Sequence, residues 1–202
     1  GYFEMSMRKG ESVVFAASTK KSSTGTLKKL FDKEVDDRHP RNNFLNCLVT
    51  AAHQFHNRRG DERYILAGYP WFKCRARDTF IALPGLTLSI EEVDYFEKVM
   101  KSGEKALRQF FSGKQVTCPI YEIDRPDVPL WCIWAIQQYE QKVGREKCLT
   151  LYGTLLKEII MFIEAGKHPY MTIADNGLLR VDGGKDEAMT WMNSTANGRP
   201  VV

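Results

Sequence analysis

The chain has 202 residues, 43% of them apolar and 27% charged, a balance that suits a folded protein with a sizeable core and excludes a disordered one. Its net charge of +4 is spread over interleaved Lys, Arg, Asp and Glu, with no basic block to suggest a nucleic-acid partner. No apolar run approaches the roughly 18 residues a membrane span needs, and the first residues lack a signal-peptide core.

Residues 2 to 19 alternate as strands do: Phe3, Met5 and Met7 share one face, Lys9-Gly10 makes a turn, and Val13 and Phe15 resume the period. This predicts a β-hairpin over 1–20 that either packs on the helices that follow or belongs to a β domain, with a helical domain over 21–202. Lys20, Lys21, Lys28 and Lys29 lie among Ser, Thr and Gly and read as a solvated connector. Phe44, Leu45, Leu48, Val49, Ala52 and Phe55 predict a helix from near Pro40 to before Arg59-Gly60. Val93 to Phe111 reads as helical with a break at Ser102-Gly103. Two more helices are expected over Pro129–Val143, stopping at Gly144, and over Glu146–Ala165, stopping at Gly166. The second carries Leu149, Tyr152, Leu155, Leu156, Ile159, Ile160 and Ile163. Long polar or aromatic segments at 64–77, 112–128 and 168–187 are where function is expected.

The densest chemistry lies in the run from Ala67 to Leu86, where Tyr69, Trp71 and Phe72 precede Arg75, Arg77 and Asp78 at a helix start. Asp78 fits a helix cap, whose carboxylate accepts orphan N–H groups, and fits equally a sugar cradle. A pyranose offers one apolar face to a ring and hydroxyls to Arg and Asp. A second cluster sets Asp127 beside Trp131 and Trp134, the latter suited to the core. The last cluster is Gly-rich and acidic, with Asp182, Asp186 and Glu187 ahead of Trp191, but its spacing is not that of an EF-hand.

Five cysteines, Cys47, Cys74, Cys118, Cys132 and Cys148, are odd in number and form no CxxC pair, which favours a reducing, cytoplasmic setting over disulfides or zinc. His53 and His56 are three apart on an expected helix, with no third ligand of the right kind in the pattern. Neither a metal nor a cofactor is expected.

AGYPWF (67–72), RDTFIALPGL (77–86), DVPLW (127–131), NGLLR (176–180) and AMTWM (188–192), in that order, resemble the C-terminal glucosidase domain of the glycogen debranching enzymes, the amylo-α-1,6-glucosidases. The resemblance covers about residues 64 to 202, and it implies that the hairpin over 1–20 is the tail of a preceding β-rich domain. It implies an (α/α)6 barrel, here incomplete with roughly half its helices. It also implies hydrolysis of α-1,6-linked glucose at branch points of glycogen, limit dextrin or a maltooligosaccharide, with inversion. On this pattern Arg77 and Asp78 hold glucose hydroxyls, Trp71, Trp131 and Trp191 line the pocket, Asp127 supports it, and Asp182 joins the substrate contacts.

One position departs from the family's phrase Thr-Trp-Met-Asp: the expected general acid is Asn193, and an amide cannot donate a proton as a carboxylic acid does. The base is expected beyond Val202, so the chain is expected to be catalytically incomplete, with exposed helix faces that favour self-association. Three accounts of Asn193 stand side by side: an engineered change, a subgroup whose acid is Asp182, Asp186 or Glu187, or a glucan-binding relative without hydrolysis. A helical protein whose Trp and Arg loops meet another protein is the remaining alternative.

Overall fold

The structure, a computed structural model, describes residues 2–19, 21–183 and 187–201. Lys20 of the expected connector and Asp186 of the acidic run lie outside these residues. Backbone contacts divide the chain into one unit up to Thr50 and another from Ala51.

In the first unit the turn at Lys9-Gly10 is present, with the Glu11 N–H donating to the Arg8 carbonyl at 3.0 Å and the rings of Phe3 and Phe15 6.2 Å apart. Residues 2–19 hold no strand, which corrects the expected hairpin. Phe3, Met5, Met7 and Phe15 stay exposed, and two strands with no surface beneath them are marginal in water. The expected connector contains a helix, α1 (Leu27–Asp36), supported by Lys28–Asp32 and Glu34–Arg38 pairs at 3.0 and 2.9 Å with i,i+4 spacing. The next helix, α2 (Phe44–Gln54), begins past Pro40, just after Asn43, whose Oδ1 accepts from the Asn46 N–H at 2.8 Å as a cap.

The helical pattern stops at Gln54 rather than before Arg59. There β1 (His56–Arg59) pairs antiparallel with β2 (Glu62–Ile65), Arg59 opposite Glu62. Gly60, at φ 60°, supplies the positive dihedral that a two-residue hairpin turn demands.

A two-residue strand β3 (Cys74–Arg75) runs directly into α3 (Ala76–Thr87), and α4 (Val93–Phe111) follows. A matching strand β4 (Ile120–Tyr121) pairs parallel with β3 and leads to α5 (Val128–Val143) and then α6 (Arg145–Glu164). α3 packs on α4 and α5, and α5 packs on α6. Two small antiparallel ladders close the described chain: β5 (Met171–Ile173) with β6 (Leu179–Val181), and β7 (Thr195–Ala196) with β8 (Arg199–Pro200). The fold is mainly α.

Its core is built at helical spacing. Phe80 and Leu83 from α3 meet Phe96, Met100 and Leu107 from α4 and Ile136 and Tyr139 from α5, all essentially without exposure. On α6 the buried stripe is Cys148, Tyr152, Leu155, Ile159 and Phe162, whereas Leu149 and Ile160 of the expected face remain 47% and 48% exposed. α4 runs unbroken through Ser102-Gly103, correcting the expected break. A Cβ at Gly103 would stand 2.9 Å from the Phe80 ring, so glycine serves close packing there. Among the described residues, no helix is long and apolar enough to cross a membrane.

Candidate functional site

The parallel β3–β4 pair brings the starts of α3 and α5 together, and with them two residues fifty positions apart. Arg77 and Asp127 are buried and bonded through two contacts: Nε donates to Oδ2 at 2.8 Å, and a terminal guanidinium nitrogen donates to Oδ1 at 3.0 Å. The Trp131 Nε1–H, one turn into α5, also donates to Asp127 Oδ2, at 3.2 Å. Both carboxylate oxygens are thus engaged, and Asp127 makes no capping bond at its helix start. The same terminal nitrogen of Arg77 donates to the Met189 carbonyl at 3.0 Å, which pins the 188–192 segment to this pair. Arg125 adds a second tie, donating to Glu187 Oε1 at 2.7 Å. The structure therefore unites Arg77, Asp127, Trp131, Met189 and, through Arg125, Glu187. Trp134 meets Trp131 edge-on at 5.6 Å and is half-buried.

Arg75, the other arginine at this junction, serves a more open neighbourhood. Its Nε lies 3.0 Å from Glu122 Oε2, and its guanidinium stands 5.5 and 5.6 Å from the ring centroids of Phe72 and Tyr121. Beside this pair opens a cleft of about 980 Å³ walled by Tyr69, Trp71, Phe72 and Tyr121, with Asn57 and Lys73. Trp71 is 82% exposed and Tyr69 61%, so aromatic surface is offered to water in one place. The Tyr69–Pro70 peptide bond is cis. Cys74 also lines the cleft, but burial pushes its thiol up, so it offers no thiolate nucleophile. Another cleft, of about 880 Å³ against α4, is lined by Lys98, Lys101, Lys105 and Arg108 with Glu62 and Glu104, and holds none of the motif residues.

Asp78 lies inside the first turn of α3, three positions past Arg75, where no side chain makes a capping bond; this corrects the cap expected from the sequence. The helix dipole still favours a carboxylate there, and its Oδ2 is 3.8 Å from Arg75 Nε. Asp182, Trp191 and Asn193 are gathered by neither cluster. The Asp182 N–H donates to the Tyr170 carbonyl at 3.0 Å and its Oδ2 is 3.9 Å from Arg180; Trp191 is 57% exposed, and Asn193 is exposed. Sequence reasoning missed Tyr121 and Glu122. An aromatic–acid dipeptide inside the 112–128 segment was the available signal, and the strand pairing that aims it at Arg75 was not.

A third grouping overturns the reading of the histidines. His56 lies beyond the helix, in β1, and Glu92 at the start of α4 joins it and His53. His53 Nε2 donates to Glu92 Oε1 at 2.7 Å, and His56 Nδ1 lies 3.6 Å from Oε2. Burial lowers the pKa of His56, against the bond to the Leu86 carbonyl and the charge of Glu92.

The cleft thus offers exposed ring faces beside an arginine–carboxylate pair. The amylo-alpha-1,6-glucosidase family model matches residues 41–202, and the chain belongs to this glycosidase-type family. No curated protein and no solved structure matches the chain.

Proposed function

We propose that this chain supplies the glucose-binding face of a glycosidase that hydrolyses α-1,6-linked glucose at branch points of glycogen or a limit dextrin. The observation that carries the reading is the aromatic cleft beside Arg75 and Glu122, in a chain of the amylo-alpha-1,6-glucosidase family. Trp71 is assigned the apolar face of the sugar, with Asp78, Asp182 and Trp191 as further contacts. Arg77, Asp127 and Trp131 act as a buried brace that holds the 187–191 segment in place. In the same reading α3 and α5 are inner helices of an (α/α)6 toroid, each followed by an outer helix packed on it; the parallel β3–β4 pair at their starts supports this.

Inverting hydrolysis needs a carboxylic acid and a carboxylate base roughly 6.5–9.5 Å apart. Asn193 stands at the acid's place and cannot serve; Glu187 is assigned as the substitute acid, a role that requires its ion pair with Arg125 to open so that the carboxyl can carry the proton it donates. The five cysteines are all free, which supports a reducing, cytoplasmic setting. Exposed Leu149, Leu151, Ile160 and Met161 on α6 support self-association.

Asn193 favours a second reading, a glucan-binding relative without hydrolysis. Incubation of the complete parent glycosidase with a phosphorylase limit dextrin, following glucose release and product anomer together, separates the two. β-Glucose supports the inverting glucosidase, and its loss in Glu187→Gln assigns the acid. Dextrin bound without release supports the second reading, and no dextrin binding overturns both.

A further inference from the structure

We propose that His53, His56 and Glu92 form a binding site for a divalent transition-metal ion, zinc by preference, which fastens the end of α2 and the start of β1 to the start of α4. The side chains come from three elements, and their ligating atoms all lie within 4.8 Å of one another. Two imidazoles and one carboxylate are a donor set suited to zinc, with the fourth position left to water.

The orientation of His56 makes this more than a chance encounter of polar groups. Its Nε2 faces the Leu86 carbonyl at 3.0 Å, and a carbonyl only accepts, so Nε2 carries the hydrogen. The lone pair is therefore on Nδ1, the atom 3.6 Å from Glu92 Oε2. A ligand histidine whose other nitrogen donates to a backbone carbonyl is the usual outer arrangement of metal sites. Tyr95, stacked on the imidazole at 3.9 Å and 14°, holds the ring plane.

Metal bonds of about 2.0–2.2 Å set tetrahedral ligand separations of roughly 3.3 Å. The 3.6 Å pair already meets that. The 2.7 Å His53–Glu92 contact must open slightly, and the ion takes the place of the hydrogen shared there. His53 and Glu92 side chains are each 34% exposed, which leaves a route for the ion, while the 10% exposed His56 anchors the floor.

The test uses the chelator-treated, reduced chain and Co2+ alone as a spectroscopic probe, with Zn2+ competition. One cobalt per chain is expected, with visible bands of a tetrahedral nitrogen–oxygen site, no thiolate charge-transfer band, and displacement by zinc. His53→Gln and Glu92→Gln, both at half-exposed positions, should each weaken cobalt binding by roughly 100-fold or abolish it. Far-ultraviolet circular dichroism checks that they fold. No stoichiometric binding to the unmodified chain, a thiolate band, or affinity unchanged in both variants overturns the site. The unmodified chain decides the matter even if a variant fails to fold.

Discussion

Two neighbourhoods at the junction of β3 and β4 use the same residue types to opposite ends. Arg77 is buried, and Asp127, itself bonded by the Trp131 indole, and the Met189 carbonyl take its contacts. Two residues earlier, Arg75 pairs with Glu122 beside open rings, with Trp71 almost fully in water. An arginine saturated by its own protein shapes a site, whereas exposed aromatics beside a half-exposed ion pair remain available to a ligand. In a continued strand two residues two positions apart would share a face; the change from strand to helix between Arg75 and Arg77 turns their side chains apart.

The sharpest way to break this contrast is Arg77→Ala. It leaves the Asp127 carboxylate buried without its cation, which is expected to cost about 3–5 kcal/mol of stability and loosen the 187–191 segment. Urea unfolding and proteolysis near Met189 measure the two effects. Replacing the pair together with apolar residues, Arg77→Met with Asp127→Leu, should recover much of the loss. If Arg77→Ala unfolds at the same urea concentration as the unmodified protein, Arg77 is not a brace.

One turn beyond Arg77, Phe80 lies against Gly103 of α4, so Gly103→Ala asks whether the tight packing continues below the brace. The added methyl meets the ring at 2.9 Å, and overpacking of this kind is expected to cost about 1–3 kcal/mol, against at most about 1 kcal/mol gained in helix propensity. A lower thermal midpoint with unchanged helical circular dichroism is the expected result.

Much of this framework was legible before any coordinates. The bounds of α5 and α6 fall within one residue of those expected, because long amphipathic runs end at Gly144 and Gly166. Leu27, Leu30, Phe31 and Val35 carried a helical period for α1, hidden by the Ser, Thr and Gly beside them. Gly103 looked like a breaker because sequence does not show that Phe80 occupies the space a Cβ would need. The site was legible as a set of names, not as pairs. Arg77, Asp127 and Trp131 were all singled out, but partnership across fifty residues follows only once β3 and β4 align in parallel. Glu122 and Glu92 were missed for the same reason: each gains its meaning from a partner distant in sequence.

A smaller effect is expected from pH, through His168, buried beside Phe110 and Phe162 with its Nδ1 accepting from the Tyr170 N–H at 3.2 Å. Burial lowers its pKa, with the Asp124 charge and the Arg125 backbone opposing. Below the unfolded value of about 6.5 the unfolded chain binds the proton first, so stability falls as pH drops through that value towards the lower folded one. His56 contributes in the same direction. Urea midpoints at neutral and mildly acidic pH should differ less in His168→Gln than in the unmodified chain. An identical difference removes His168 from the account.

The smallest change in stability is expected from Trp71→Ala, and the contrast between the two neighbourhoods depends most on it. With 82% of its surface in water, the side chain loses little packing when truncated, and the unfolding free energy should change by no more than about 0.5 kcal/mol. Limit-dextrin affinity should nevertheless fall by about 1–3 kcal/mol, the worth of a ring stacked on the apolar face of a sugar, here by analogy with base stacking. Binding calorimetry and urea unfolding on the same preparation report both quantities. Loss of affinity at constant stability places the ligand on the open rings. Unchanged affinity moves it away from Tyr69, Trp71 and Phe72, while a large loss of stability would make Trp71 part of the frame that Arg77 and Asp127 already provide.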